Sequence, residues 1–126
     1  MTKIDISSAR IDYWRHCCQA KLGSSEETPF GPDTLVYKAG GKIFALLRLA
    51  KPLSINLKCD PQEAMILRAS FDSVTPGYHM IKKHWNTIDL SAGLASGLVE
   101  GWLDDSYALV LKGLPKALQA RLAGKQ

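Results

Sequence analysis

Three short segments in the middle of the chain, separated by sharp turn signals, most constrain its fold. Residues 34–39 and 42–49 flank the pair Gly40-Gly41, and glycine adopts the positive φ angles that a two-residue hairpin turn requires. Residues 53–59 follow after a proline and form a third extended segment. The three segments predict an antiparallel β-meander.

The third segment alternates most clearly. Its apolar residues are Leu53, Ile55, Leu57 and Cys59, and its polar residues are Ser54, Asn56 and Lys58. Because successive side chains of a strand point to opposite faces of the sheet, one face is expected to pack on the core and the other to face water.

Helical patterns lie on both sides of the meander. Before the meander we predict an N-terminal helix from Ser7 or Ser8 to Leu22 and a loop over 23–33. After it we predict a short helix from Asp60 to Phe71, a turn over 75–77 and a strand or hairpin before Leu90. A long helix from Ser91 to Gly113, with Leu94, Leu98, Trp102 and Leu109 on its inner face, and a terminal helix over 115–122 complete the chain. This order predicts an α+β fold, an antiparallel sheet with helices packed on one face.

Positive charge is concentrated in two segments. The chain has 16 Lys and Arg residues and 12 Asp and Glu residues, giving a net charge of +4. Residues 34–59 contain five basic side chains and no acidic one, and residues 78–88 add two lysines. If the segments are adjacent in space they form a basic face that attracts polyanions; otherwise they are a solvated, lysine-rich surface. The basic residues concerned are Lys38, Lys42, Arg48, Lys51, Lys58, Lys82 and Lys83.

The densest polar cluster occupies residues 76–87. In a polyanion site its lysines would contact phosphates, while Tyr78, Trp85 and Asn86 would offer stacking and amide hydrogen bonds. The alternative interpretation is structural, with Tyr78 and Trp85 in the core and with His79 and Asn86 stabilising a turn.

The sequence gives little support to a metal or catalytic site. His79 and His84 lack a third ligand nearby, and the three cysteines, Cys17, Cys18 and Cys59, have no C-x-x-C spacing. No nucleophile motif and no glycine-rich phosphate loop is present. We therefore predict no catalytic residue, no metal and no cofactor, and we favour a binding protein over an enzyme.

Length and hydropathy indicate a single domain over residues 1–126. No segment approaches the ~20 consecutive apolar residues of a membrane span, and the N-terminal residues do not resemble a secretory signal. A cytoplasmic protein with no membrane contact is expected. The periodicity suggests no coiled coil, so a monomer is the expected state.

Six segments, in this order along about residues 8–118, resemble the MmcQ/YjbR-like family. They are Phe30-Gly31-Pro32-Asp33, Gly41-Lys42-Ile43-Phe44-Ala45, Asn56-Leu57-Lys58-Cys59, Pro76-Gly77-Tyr78-His79, Lys83-His84-Trp85-Asn86-Thr87 and Ser106-Tyr107-x-x-Val110. The resemblance implies a CyaY-like fold whose sheet displays two hairpins, likened to the wings of "double wing" DNA-binding domains. Carried onto this chain, the first wing surrounds Gly40-Gly41 and the second lies near Lys82 and Lys83.

Both wings coincide with the basic segments, so the leading hypothesis is DNA binding with weak sequence specificity. The residues expected to contact phosphates are Lys38, Lys42, Arg48, Lys58, Lys82 and Lys83, and those expected to give polar contacts are Asn56, His79, His84 and Asn86. One alternative is a small-anion or metabolite pocket, or an enzyme site, lined by Asn56, Lys58, His79, Trp85 and Asn86. Another is a protein-interaction domain whose polar cluster is structural.

Overall fold

The fold is an α+β sandwich, as predicted. The computed structural model describes residues 3–77 and 80–124. Its elements are α1 (Lys3–Gln19), β1 (Ser24–Glu27), β2 (Thr34–Ala39), β3 (Lys42–Arg48), β4 (Ser54–Lys58), α2 (Pro61–Ser70), β5 (Val74–Pro76), β6 (Trp85–Asp89), α3 (Ser96–Lys112) and α4 (Lys116–Gly124). None of the helices in the described ranges is long and apolar enough to cross a membrane.

The strands form one antiparallel sheet in the order β1-β2-β3-β4-β6-β5. The predicted meander is therefore confirmed as β2-β3-β4, with Gly40 and Gly41 both at positive φ in the first turn. A bulge between β2 and β3 sets Ala45 opposite Tyr37 and Ile43 opposite Lys38, so Phe44 is an extra residue on β3.

One face of the sheet, the core face, packs against the helices. Its buried side chains include Tyr37, Leu47, Ile55 and Ile88, which form a single cluster with residues of all of the first three helices. The helix residues of that cluster are Trp14, Cys18, Leu67, Val99, Leu103 and Val110. Burying this much apolar surface is the main stabilising contribution to the fold.

The opposite face, here called the outer face, is not simply solvated. Val36, Leu46 and Trp85 form a second buried cluster there. Ser54 and Asn56, predicted to face water, do point away from the core, but they are only 7% and 6% exposed. The prediction of a solvated face for β4 was therefore wrong, because neighbouring strands and the second cluster enclose these side chains.

Several element boundaries differ from the predicted ones. The loop over 23–33 contains β1, and the predicted turn at 75–77 begins as β5, so both edges of the sheet were missed. The first helix ends at Gln19, which leaves Leu22 exposed. The long helix begins at Ser96 with no side-chain cap, not at Ser91.

The inner face of α3 was predicted in part, since Trp102 packs half-buried against the core cluster, as does Leu94 just before the helix. Its buried residues are Val99, Leu103, Ser106 and Val110, whereas Leu98 is 40% exposed. The short helix was predicted well: the Asp60 carboxylate accepts hydrogen bonds from the N–H groups of Gln62 and Glu63, with Pro61 in the first turn.

Candidate nucleic-acid interface

Three of the predicted phosphate-contacting lysines line one groove, here called the lysine groove. Lys38 on β2, Lys42 at the start of β3 and Lys58 at the end of β4 line it at the hairpin end of the sheet, where the C-terminal part of α3 also contributes. Its volume is about 530 Å³, and its remaining lining includes Ile43, Met80, Trp85, Leu109, Val110 and Gly113. The structure thus places cationic side chains beside the indole of Trp85, which is itself largely buried in the second cluster.

Two of these lysines form no ion pair with the acidic side chains that the structure describes. Lys38 forms an ion pair with Glu27 across β1 and β2, with 3.3 Å between Nζ and Oε1. No ion pair involves Lys42 or Lys58 anywhere in residues 3–77 and 80–124. Since an unpaired ammonium group keeps its attraction for an incoming anion, Lys42 and Lys58 carry most of the positive potential of the groove.

Lys82 and Lys83 lie exposed in the turn that precedes β6, and Met80 connects that turn to the lysine groove. Arg68 of α2 holds the turn in place. Its guanidinium donates to the Lys82 carbonyl, to the Trp85 carbonyl at 3.1 Å and to Asn86 Oδ1 at 2.6 Å. Sequence analysis missed Arg68, because nothing local distinguishes it from any other surface arginine on a helix.

Asn86 does not reach the groove. It lies on the core face, is 1% exposed, and its amide donates to the Ala64 carbonyl while its oxygen accepts from Arg68. Its place is the structural one that the sequence analysis left open. His84, in the turn beside Lys83, is half-buried and its carbonyl accepts a 2.7 Å hydrogen bond from the N–H of Cys59.

The structure separates the remaining predicted residues. Arg48 and Asn56 lie on the outer face but line a different pocket, at the opposite end of β3 from Lys42. Lys42 and Arg48 are six residue steps apart along the strand, or about 20 Å. Tyr78 and His79 lie outside the described residues, so their predicted roles stay predictions.

Ser106 of α3 ties the helix to the strands that carry the groove. It is fully buried, accepts a 2.8 Å hydrogen bond from the N–H of Lys58 and donates a 2.7 Å bond to the carbonyl of Phe44, the bulge residue. The backbone at the ends of β3 and β4 is thereby held by one side chain. The β3-β4 register ends at Ala45 and Leu57, so the Ser106 hydroxyl bridges the next pair of backbone groups beyond the ladder.

The environments of the cysteines and of the acidic side chains bear on thiol reactivity and on metal binding. All three cysteines are free, and burial raises the pKa of the Cys18 thiol to about 12 and that of Cys59 to about 11, which disfavours the reactive thiolate. In the part of the chain that the structure describes, no group of three or more His, Cys, Asp or Glu side chains is placed to hold a metal ion.

Comparison with known proteins gives a consistent result. The YjbR family model matches residues 19–109. The uncharacterized protein YbdF of Escherichia coli O157:H7 is 41% identical over 95 residues, covering 75% of this chain and 78% of its own. The uncharacterized protein YjbR of Escherichia coli K12 is 27% identical over 100 residues, covering 79% of this chain and 85% of its own.

Two solved structures share the fold. The crystal structure of the Deinococcus radiodurans protein DR2400, which carries the domain DUF419, matches with a TM-score of 0.83 and 37% identity, covering 90% of this chain and 87% of its own. A Pseudomonas syringae protein matches with a TM-score of 0.69 and 26% identity, over 79% of this chain and 97% of its own. With its sequence and its fold in agreement, the chain belongs to the YjbR family.

Proposed function

We propose that the protein binds duplex DNA through the phosphate backbone, using the lysine groove and the adjacent turn at Lys82 and Lys83. The observation that carries the proposal is the convergence of Lys38, Lys42 and Lys58 on one groove from three different strands. Lys38 and Lys42 lie on the two strands of one hairpin, and the pairing of β3 with β4 brings the end of β4, with Lys58, beside them.

The charge pattern favours a polyanion over a single charged group. Lys42, Lys82 and Lys83 are exposed, and none of the three forms an ion pair within the described ranges. They flank the groove from the β2-β3 hairpin on one side and from the turn before β6 on the other. Phosphate contacts of this kind give weak, sequence-independent affinity, with a dissociation constant of ~10⁻⁴–10⁻⁶ M at physiological salt.

A small phosphate-bearing molecule is the second candidate ligand. The apolar side chains in a groove of about 530 Å³, among them Ile43, Met80 and Leu109, favour it, since they could cover the apolar part of such a ligand beside the lysines. The two candidates make different demands: a small ligand needs only the groove, whereas DNA also needs the exposed lysines around it.

Fluorescence anisotropy of a labelled 20-base-pair duplex, measured over a series of salt concentrations, tests the proposal. We expect log affinity to fall linearly with log salt, with a slope of about 0.9 per phosphate contacted. Lys42→Glu should weaken binding and lower the slope by about one such step. The double variant Lys42→Glu/Lys83→Glu should weaken it further without unfolding the domain.

Lys51→Glu is the matched control. Lys51 is exposed like Lys42, and the substitution changes the net charge equally, but it lies beyond Arg48 at the other end of the outer face. Equal losses in Lys42→Glu and Lys51→Glu would mean a general charge effect and no defined interface. Absence of duplex binding even at low salt, together with thermal stabilisation by nucleotides, would favour the small-molecule candidate.

A further inference from the structure

A second pocket on the outer face lies away from the lysine groove and has a different character. It has a volume of about 350 Å³ and is built on adjacent positions of the sheet. One row across the strands is Arg48, Ser54 and Asp89, and the next contains Asn56, Thr87 and Thr75. The register places all six side chains on one face, so they form a continuous polar floor.

Asn56 is the unusual member of this floor. Its side chain is buried, with only 6% of the residue exposed, and its Oδ1 accepts a 2.6 Å hydrogen bond from Thr87 Oγ1. Its Nδ2 group has no acceptor among the residues that the structure describes. Asn56 lines the pocket, so this amide group lies at the pocket wall. An unused buried amide donor costs free energy unless a ligand or water accepts its hydrogens.

The charged groups of the pocket are segregated. Arg48 and Lys51 lie on the β3 side, whereas Asp89 and Asp72 lie on the β6 and β5 side. Arg48 and Asp89 are both register partners of Ser54, one from each neighbouring strand, which puts their backbones about 10 Å apart. The formal charges cancel, so the pocket is neutral but strongly dipolar.

The carboxylates on the negative side are available to a ligand. Asp89 Oδ1 accepts hydrogen bonds from the N–H and hydroxyl of Ser91, at 2.8 and 2.6 Å, which leaves the second oxygen for another donor. Within the described ranges, neither Asp72 nor Asp89 forms an ion pair. A bound solute could therefore accept a hydrogen bond from the buried Asn56 amide and donate to these carboxylates.

We propose that this pocket binds a small extended zwitterion, with its carboxylate on the Arg48 and Lys51 side and its ammonium group on the Asp72 and Asp89 side. Asn56 Nδ2 donates to an oxygen of the ligand between the two ends. An ω-amino acid and a short peptide share this chemistry. A neutral dipolar lining disfavours simple anions and simple cations, because each would meet a like charge at one end.

Two-dimensional amide NMR of the whole chain, titrated with 6-aminohexanoate, tests the proposal. We expect saturable shifts of the Asn56 side-chain amide and of backbone amides of Ser54, Thr87 and Asp89. Hexanoate and hexylamine each carry one of the two charges and should bind at least about fivefold more weakly. Triglycine distinguishes the two ligand sources, since its peptide groups can also bond with the serine and threonine hydroxyls of the pocket.

Asp89→Asn and Asp60→Asn form a matched pair of variants. Both replace a carboxylate that accepts backbone N–H bonds with an amide that can still accept them, but only Asp89 lines the pocket. Asp89→Asn should weaken 6-aminohexanoate binding about fivefold and Asp60→Asn should not change it. Binding of hexanoate or hexylamine as strong as that of 6-aminohexanoate, an unshifted Asn56 amide, or equal behaviour of the two variants would overturn the proposal.

Discussion

The hydroxyl of Ser106 is the most sharply testable structural element near the lysine groove. Ser106→Ala removes one oxygen and changes little else, because the side chain is fully buried against the sheet. It leaves two backbone groups without their partner, the N–H of Lys58 and the carbonyl of Phe44.

The expected magnitude follows from those two groups. A buried polar group left without a partner costs about 1–3 kcal/mol, so with two such groups the variant should lose about 2–6 kcal/mol of unfolding free energy. Ser70→Ala is the control, because the Ser70 hydroxyl also donates a hydrogen bond, to the Ile66 carbonyl at 2.7 Å, but lies exposed on α2. Its cost should stay within about 0.5 kcal/mol.

Urea unfolding followed by tryptophan fluorescence measures both variants. The transition midpoint of Ser106→Ala should fall while the slope against urea stays unchanged, which assigns the loss to the native state. If Ser106→Ala and Ser70→Ala were equally stable, the two bonds of Ser106 would contribute nothing net and the reasoning would be refuted.

Two further predictions concern an acidic side chain and a glycine. Arg15 donates two hydrogen bonds to Glu26 and lowers the pKa of the Glu26 carboxyl. The stability that this interaction contributes is therefore present above pH 4.5, the ordinary pKa, and is lost as the pH falls through the lowered pKa. Measurements of unfolding free energy at decreasing pH should show this loss, and Glu26→Gln should remove that pH dependence. Gly77→Ala should lower the melting temperature, because a Cβ there would lie 2.6 Å from the Cβ and 2.9 Å from the carbonyl oxygen of Trp85. In the control, Gly101→Ala in the middle of α3, the added Cβ meets no atom within 4 Å, so the melting temperature should rise. A Gly77→Ala variant as stable as the parent would contradict the close approach of Gly77 to Trp85.

The parts of the fold that sequence predicted depend on local signals. The Gly40-Gly41 turn and the Asp60 cap each act within a few residues, and both are confirmed. The alternation of residues 53–59 predicted which side chains point to the core, but not that Ser54 and Asn56 are buried on the other face. The uninterrupted apolar run over 43–47 was the available signal that both faces of β3 are covered, since a half-solvated strand would alternate there.

The parts that were missed depend on distant residues. The strand β1 has the sequence Ser-Ser-Glu-Glu, which has no β pattern, and its Glu26 is held by Arg15, Gln19 and Tyr37 from other elements. Asn56 and Trp85 line different pockets, which follows from the register of β4 and β6 and from the position of each residue along its strand. No local motif encodes either arrangement.

The two strands at the margins of the sheet have a consequence for contacts between copies of the chain. At one margin, β1 is four residues long and ends in two glutamates; at the other, β5 is three residues long and ends at Pro76, which has no N–H to donate. Short, charged or proline-containing margins are poor templates for the addition of a further strand. Edge-to-edge pairing between the sheets of two molecules is therefore disfavoured, even in concentrated solutions of the protein.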